Sequence, residues 1–154
     1  MRARRRYSGR CRSAPSRSAL TVQFFDGRSR GDLERTFDTI ARERIDGLIV
    51  GAAALVVDRR QQVVDSAARQ RLPAIYARRE YADAGGLMSY GAELNGIWSR
   101  GAELVHRIPQ GAKPSELPFE QASTIKLVLN LKAAKALGLK IPDSVRARVD
   151  EVIQ

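Results

Sequence analysis

Arg78, Arg79 and Glu80 stand directly after one short apolar run, Leu72-Pro73-Ala74-Ile75-Tyr76, and before a second, Leu87-Met88-Ser89-Tyr90, which ends at Gly91. Gly85-Gly86 between them is a turn signal, so the two runs read as buried strands joined by a polar crossover. Charged groups just past the carboxyl end of a strand lie where open α/β sheets hold their ligands. The chemistry on offer is binding rather than bond-making. Cys11 and His106 are each the single residue of their type. The sequence shows no Ser/His/Asp or Cys/His constellation around them, and a lone cysteine can build no disulfide or cysteine cluster within the chain. Zinc spacing, a phosphate loop and GxGxxG are absent from the sequence. His106 reads as a boundary residue on the flank of a helix, no cofactor or metal is expected, and an enzyme is the weakest functional class.

The elements that must position these residues alternate between strand and helix. Leu20 to Phe25 reads as a first strand. Ser29 with Asp32 three residues on resembles a capping box, opening a helix whose Leu33, Phe37, Ile40 and Ala41 share a face. Gly47-Leu48-Ile49-Val50 follows as a strand buried on both faces. Asp58 with Gln61 announces a second helix with Val63, Val64, Ala67 and Ala68 inward. These units predict an α/β fold, a parallel sheet with right-handed crossovers and flanking helices. After Tyr90 the longest helix runs from about Ala92 to Ile108. Its stripe of Leu94, Ile97, Trp98, Gly101, Val105 and Ile108 makes Trp98 a core anchor. A linker from Gly111 to Pro118 leads to a strand carrying Ile125, Leu127 and Leu129. Asn130 then caps a helix, and Asp143 or Ser144 starts a terminal helix with Val145, Val149 and Val152.

Charge bears on partners. The chain has 154 residues and a formal charge of +10, but residues 1 to 17 hold seven arginines and no acid. The remainder is only about +3, ordinary for a soluble domain. The Arg- and Ser-rich arm has no apolar periodicity and is expected to be disordered. Nucleic acid is not the expected partner, because the arm has no nucleic-acid-binding motif beside it. No apolar run approaches the ~18 residues of a membrane span, and the run from Ala19 to Phe25 is too short and interrupted for an export signal.

Three stretches, LPAIYARREYADAGGLMSYG, GAKPSELPFEQ and LNLKAAKALGLKIPDSVRARVDEVIQ, resemble the C-terminal half of ABC-transporter substrate-binding proteins related to tryptophan and tyrosine uptake. The resemblance covers roughly residues 20 to 154. It implies the second lobe and hinge-crossing elements of a type I periplasmic binding protein, whose two lobes close on a small ligand and present it to a membrane permease. By it, residues 1–18 are the arm, 19–91 a βαβαβ ligand-binding lobe, and 92–154 a hinge-crossing helix, linker and C-terminal strand-helix segment. Full members are about twice as long, so the N-terminal lobe and half of the cleft are expected to be missing. Such proteins are periplasmic, whereas this chain as written has no export route and is expected to stay cytoplasmic.

The resemblance places the cleft at Tyr76, Glu80, Ser89 and Tyr90. The two rings would cover an apolar or aromatic ligand, Glu80 would meet an ammonium, and Ser89 would add a hydroxyl. The loop after Val50 reads Gly51-Ala52-Ala53-Ala54 and can offer only backbone groups. A function of another class is a cytoplasmic ligand-sensing regulatory module whose arginine arm contacts nucleic acid, recognisable by steep salt dependence lost on removing residues 1 to 17.

Overall fold

In a computed structural model of the chain, the structure describes residues 6–8, 21–25, 29–120 and 124–154. Ser29 caps the first long helix as its spacing predicts: its Oγ accepts from the Asp32 N–H at 3.3 Å and donates to the Asp32 carboxylate at 2.7 Å. That helix, α1 (Arg30–Glu43), buries Leu33, Phe37 and Ile40. It ends at Arg44, whose left-handed backbone (φ 51°) returns its N–H to the last turn. Strand β3 (Leu48–Val50) follows, then α2 (Ala54–Asp58) and α3 (Arg60–Arg69). Asp58 closes α2 instead of capping α3, and Ser66 rather than the exposed Ala68 completes the buried face of α3. Strand β4 (Ala74–Tyr76), the short α4 (Arg79–Asp83) and β5 (Met88–Ala92) complete the parallel part of the fold.

The main sheet has the order β3-β4-β5-β6-β7, with β6 at Ile125–Asn130 and β7 at Glu151–Ile153. Strands β3, β4 and β5 are parallel, β6 is antiparallel to β5, and β7 is parallel to β6. Phe37 and Ile40 of α1, Val63 and Val64 of α3, and Tyr81 of α4 pack with Val50, Ala74 and Tyr76 in one core. A second cluster joins Leu87 and Leu129 to Ala134 of α6 (Leu131–Ala136). Asn130 ties the two regions together. It is buried, caps α6 by accepting from the Ala133 N–H at 3.0 Å, and donates to the Ala82 carbonyl of α4 at 3.1 Å.

Several expectations fail, each for a reason of neighbourhood. The strand expected at 20–25 is β2 (Thr21–Gln23), and it lies outside the main sheet, paired antiparallel with β1 (Arg6–Ser8). Those three arm residues are therefore extended and paired; the rest of the arm lies outside the described residues. With no strand beyond it among the described residues, β3 is a sheet edge there, and Ile49, expected to be covered on both sides, is 83% exposed. Alternation explains it: Val50 turns toward α1 and α3, and Ile49 turns to the uncovered face. Ile49→Ala is expected to cost less than about 1 kcal/mol in urea unfolding, the range of an exposed site. A loss above about 2 kcal/mol would mean that a further layer covers this face.

Helix α5 (Leu94–Arg107) forms close to where its stripe predicts, yet none of its residues is buried and Trp98 is 71% exposed. The expected core anchor is thus a surface ring. An apolar stripe records which face asks for cover and does not supply the cover. At the C-terminus α7 spans only Asp143–Arg146. The chain then turns into β7 because Asp150 grips Leu127, its N–H donating to the Leu127 carbonyl at 2.9 Å while its carboxylate accepts from the Leu127 N–H at 2.7 Å. No helix among the described residues is long and apolar enough to cross a membrane.

Candidate functional site at the strand ends

The parallel strands β3, β4 and β5 bring their carboxyl ends to one side of the sheet. The first of the loops there, Gly51 to Ala54, is exposed and carries no polar side chain. The second continues the ladder for one residue, Ala77 donating its N–H to the Val50 carbonyl at 3.0 Å, and then presents Arg78, Arg79 and Glu80. The backbone of Arg78 is still extended (φ −138°, ψ 143°), so its side chain leaves the sheet before α4 begins. Arg78 grips Glu80 with two bonds, Nη2 to Oε1 at 2.6 Å and Nε to Oε2 at 3.3 Å. That contact holds the Glu80 carboxyl below the usual carboxylate range, with Arg60 adding a smaller charge effect. Arg79 turns away to the far strand, bonding both oxygens of Glu151, one of them at 2.6 Å, and reaches Asp83 at 3.3 Å. Lys126 meets Glu93 at 2.8 Å.

The glycines of the GGLMSYG stretch explain how this end is built. Gly85 has φ +100°, a left-handed turn that a side chain resists. A Cβ on Gly86 would lie 2.6 Å from the Tyr76 ring and 2.7 Å from the Tyr81 carbonyl, and one on Gly91 would lie 2.0 Å from the Ala77 carbonyl oxygen. Bare backbone at 86 and 91 therefore lets β5 close against β4 and α4, next to the Arg78–Glu80 pair.

The four residues expected to line a cleft do not form one cluster. Tyr76 and Ser89 are register neighbours, each 2% exposed, and both face the interior. The Tyr76 ring stacks on Tyr81, centroids 4.7 Å apart and planes 10° from parallel. Burial, reinforced by Tyr81, pushes its phenol up to about 12. Ser89 has almost no surface to offer a ligand, and Tyr76 packs with Val63, Val64 and Tyr81 and borders an apolar cavity. One residue on, alternation sends Tyr90 to the opposite face, 56% exposed. Glu80 lies at the surface in its ion pair. Of the four, Glu80 and Tyr90 are accessible, beside Arg78 and the exposed Arg79.

Sequence reasoning missed Arg60. It opens α3, is exposed, and acts by charge on Glu80 and on the Tyr81 phenol. The signal was available, since a helix that follows a parallel strand begins on the side where the strands end. An apolar cavity of about 110 Å³, lined by Tyr76, Val64, Ala67, Leu72, Leu87 and Leu137 among others, contains none of the charged strand-end residues. Among the described residues, no group of three or more His, Cys, Asp or Glu side chains is placed to hold a metal ion.

A parallel sheet with charged and aromatic groups at its carboxyl ends fits many binding proteins, and comparison decides among them. The model of the family described as "ABC transporter substrate binding protein" matches residues 13–153. The chain belongs to that family. Similar solved structures agree with the assignment. An ABC domain from Streptococcus pneumoniae in complex with L-Trp is 27% identical, with a TM-score of 0.78 over 88% of this chain and 46% of its own. A conserved domain protein from Vibrio cholerae is also 27% identical, with a TM-score of 0.71 over 79% of this chain and 41% of its own. A substrate-binding protein with adhesive properties from Clostridium difficile, 21% identical with a TM-score of 0.57 over 82% of this chain and 42% of its own, shares the fold. Comparison with curated proteins gives no match. The sheet with its flanking helices is that of periplasmic binding proteins, and the chain spans less than half the length of the solved relatives it matches.

Proposed function

We propose that this chain forms one wall of the solute cleft of an ABC importer and takes small amino acid-like solutes at the carboxyl ends of β3, β4 and β5. The observation that carries this reading is an exposed ring, Tyr90 of β5, together with a fixed ion pair, Arg78–Glu80, in the turn and helix that follow the neighbouring parallel strand β4. In this role Tyr90 covers the apolar part of the solute and Glu80 accepts a charge-assisted hydrogen bond from its ammonium. Tyr76 and Ser89 support the wall from behind. The relative that holds L-Trp supports an aromatic amino acid as the first solute to try. A membrane permease is the partner and the periplasm the working compartment, both inferred from the family.

A small ligand is normally enclosed on most sides, and the residues described here supply one side. If half of a micromolar site, about 8 kcal/mol in total, is missing, binding falls to the millimolar range. Calorimetric titration with L-tryptophan is expected to show such weak binding. Glu80→Gln should weaken it about fivefold, the modest effect of a solvent-screened charge contact. Micromolar binding indifferent to Glu80→Gln contradicts both the one-wall reading and the role of Glu80.

A further inference from the structure

No strand or helix among the described residues packs along α5, and none of its own residues is buried. Ile97, Val105 and Ile108 are exposed with Trp98 on its apolar stripe. Arg100, on its flank, clamps both carboxylate oxygens of Glu120 at 2.6 and 2.7 Å, and the neighbouring Phe119 is left fully exposed. Single apolar residues at a surface need no explanation, but a continuous stripe marks an interaction face.

The occupant that fits is a second copy, because the stripe mirrors itself. Counted from Gly101, Trp98 and Leu104 stand three residues to either side, Ile97 and Val105 four, and Leu94 and Ile108 seven. Ile108 keeps helical backbone (φ −61°, ψ −52°) and so completes the pattern. An isologous interface requires one patch to complement itself about a two-fold axis. With two α5 helices antiparallel and crossing at Gly101, Ile97 faces Val105 of the other copy, Trp98 faces Leu104, and Leu94 faces Ile108. Charge agrees with this arrangement. Glu93 of one copy and Arg107 of the other fall on the same side of the seam within a turn of each other. The two Arg100 side chains flank the centre, each already matched by Glu103 and Glu120. Gly101 is an independent sign. Glycine is unfavourable inside a helix, and nothing within the described residues requires it, since a Cβ there would meet no atom within 4 Å. A crossing helix does require it, because two bare backbones can approach closely.

We propose that the chain forms a symmetric dimer through α5, packed antiparallel against α5 of a second copy about Gly101, with Trp98 as the main anchor. A single seam of 14 residues is smaller than a standard interface, so association is weak, with a dissociation constant on the order of 10–100 μM.

Sedimentation equilibrium of the full chain tests this, with the emission of Trp98, the single tryptophan, read on the same samples. From low to several hundred micromolar the mass is expected to rise from monomer toward dimer and the emission to shift to the blue. Trp98→Lys should weaken association about tenfold or more, and at low micromolar concentration its urea unfolding should match the wild type. In a Cys11→Ser background, Gly101→Cys should cross-link readily, because helices about 8–10 Å apart put facing Cα atoms within disulfide reach. Ser99→Cys, on the far side of the helix, should not. A chain that stays monomeric at several hundred micromolar overturns the proposal and leaves the stripe to a different partner. Association that Trp98→Lys does not weaken, or cross-linking equal at the two cysteine positions, overturns the seam.

Discussion

Replacing Gly91 by alanine is expected to destabilise the chain by about 3 kcal/mol, at the upper end of what overpacking costs. The added Cβ would sit 2.0 Å from the Ala77 carbonyl oxygen. Backbone cannot rotate aside as a side chain can, so the seam between β4 and β5 must open. Ala77 lies in that seam by its carbonyl and bonds Val50 of β3 on its other side through its N–H, and Arg78 follows it. The strain therefore falls where the site is built, and solute binding should weaken along with stability. Gly51→Ala is the internal control, because a Cβ there meets nothing within 4 Å. Urea unfolding of the two variants reads the difference directly. A cost below about 0.5 kcal/mol at Gly91, the range of an indifferent surface site, would show that the strands do not approach as closely as described.

Tyr81 should divide into two opposite effects. Its ring is fully buried and stacked on Tyr76, so Tyr81→Ala is expected to cost about 3–5 kcal/mol, a large part of the stability of a domain of this size. Its hydroxyl, by contrast, is buried with no hydrogen-bond partner among the described residues. A buried polar group left unpaired costs free energy, so Tyr81→Phe should be neutral or stabilise by up to about 1–2 kcal/mol. Chemical denaturation of both variants tests this. Destabilisation beyond about 1 kcal/mol by Tyr81→Phe would mean that the hydroxyl has a partner, such as bridging water, that matters to the fold.

The parts of this molecule that could be read from sequence are those specified locally. Ser29 and Asn130 cap helices because a short polar side chain can reach the free N–H groups of a first turn from one position, whatever lies elsewhere. Leu33, Phe37 and Ile40 recur at helical spacing and are buried together. The apolar runs ending at Val50, Tyr76 and Tyr90 became three parallel strands. The Gly85-Gly86 turn and Gly91 were visible as glycines, although the close contacts that require them at 86 and 91 depend on packing across the sheet.

What was not legible depends on neighbours distant in the chain. Ile49 and Trp98 carry the right periodicity and lack a covering layer among the described residues, so pattern alone overstated their burial. Tyr76 and Tyr90 look alike as strand-end tyrosines. Register and the side on which α3 and α4 pack decide that one is core and the other surface. Val149 and Val152 suit a continued helix as well as a strand, and the Asp150–Leu127 contacts, across 23 residues, decide for the strand. Arg60 acts by charge on Glu80 only because α3 and α4, apart in sequence, pack together in the fold.

The central claim is that solute binding belongs to the strand ends and that this chain supplies only one side of it. A two-dimensional NMR titration with L-tryptophan tests both halves at once. The expected result is a dissociation constant in the millimolar range, about 4 kcal/mol of binding, with shift changes confined to Ala77–Tyr81 and Ser89–Gly91. Saturation at micromolar solute, or shifts centred on the apolar cavity around Val64 and Leu137, would contradict it.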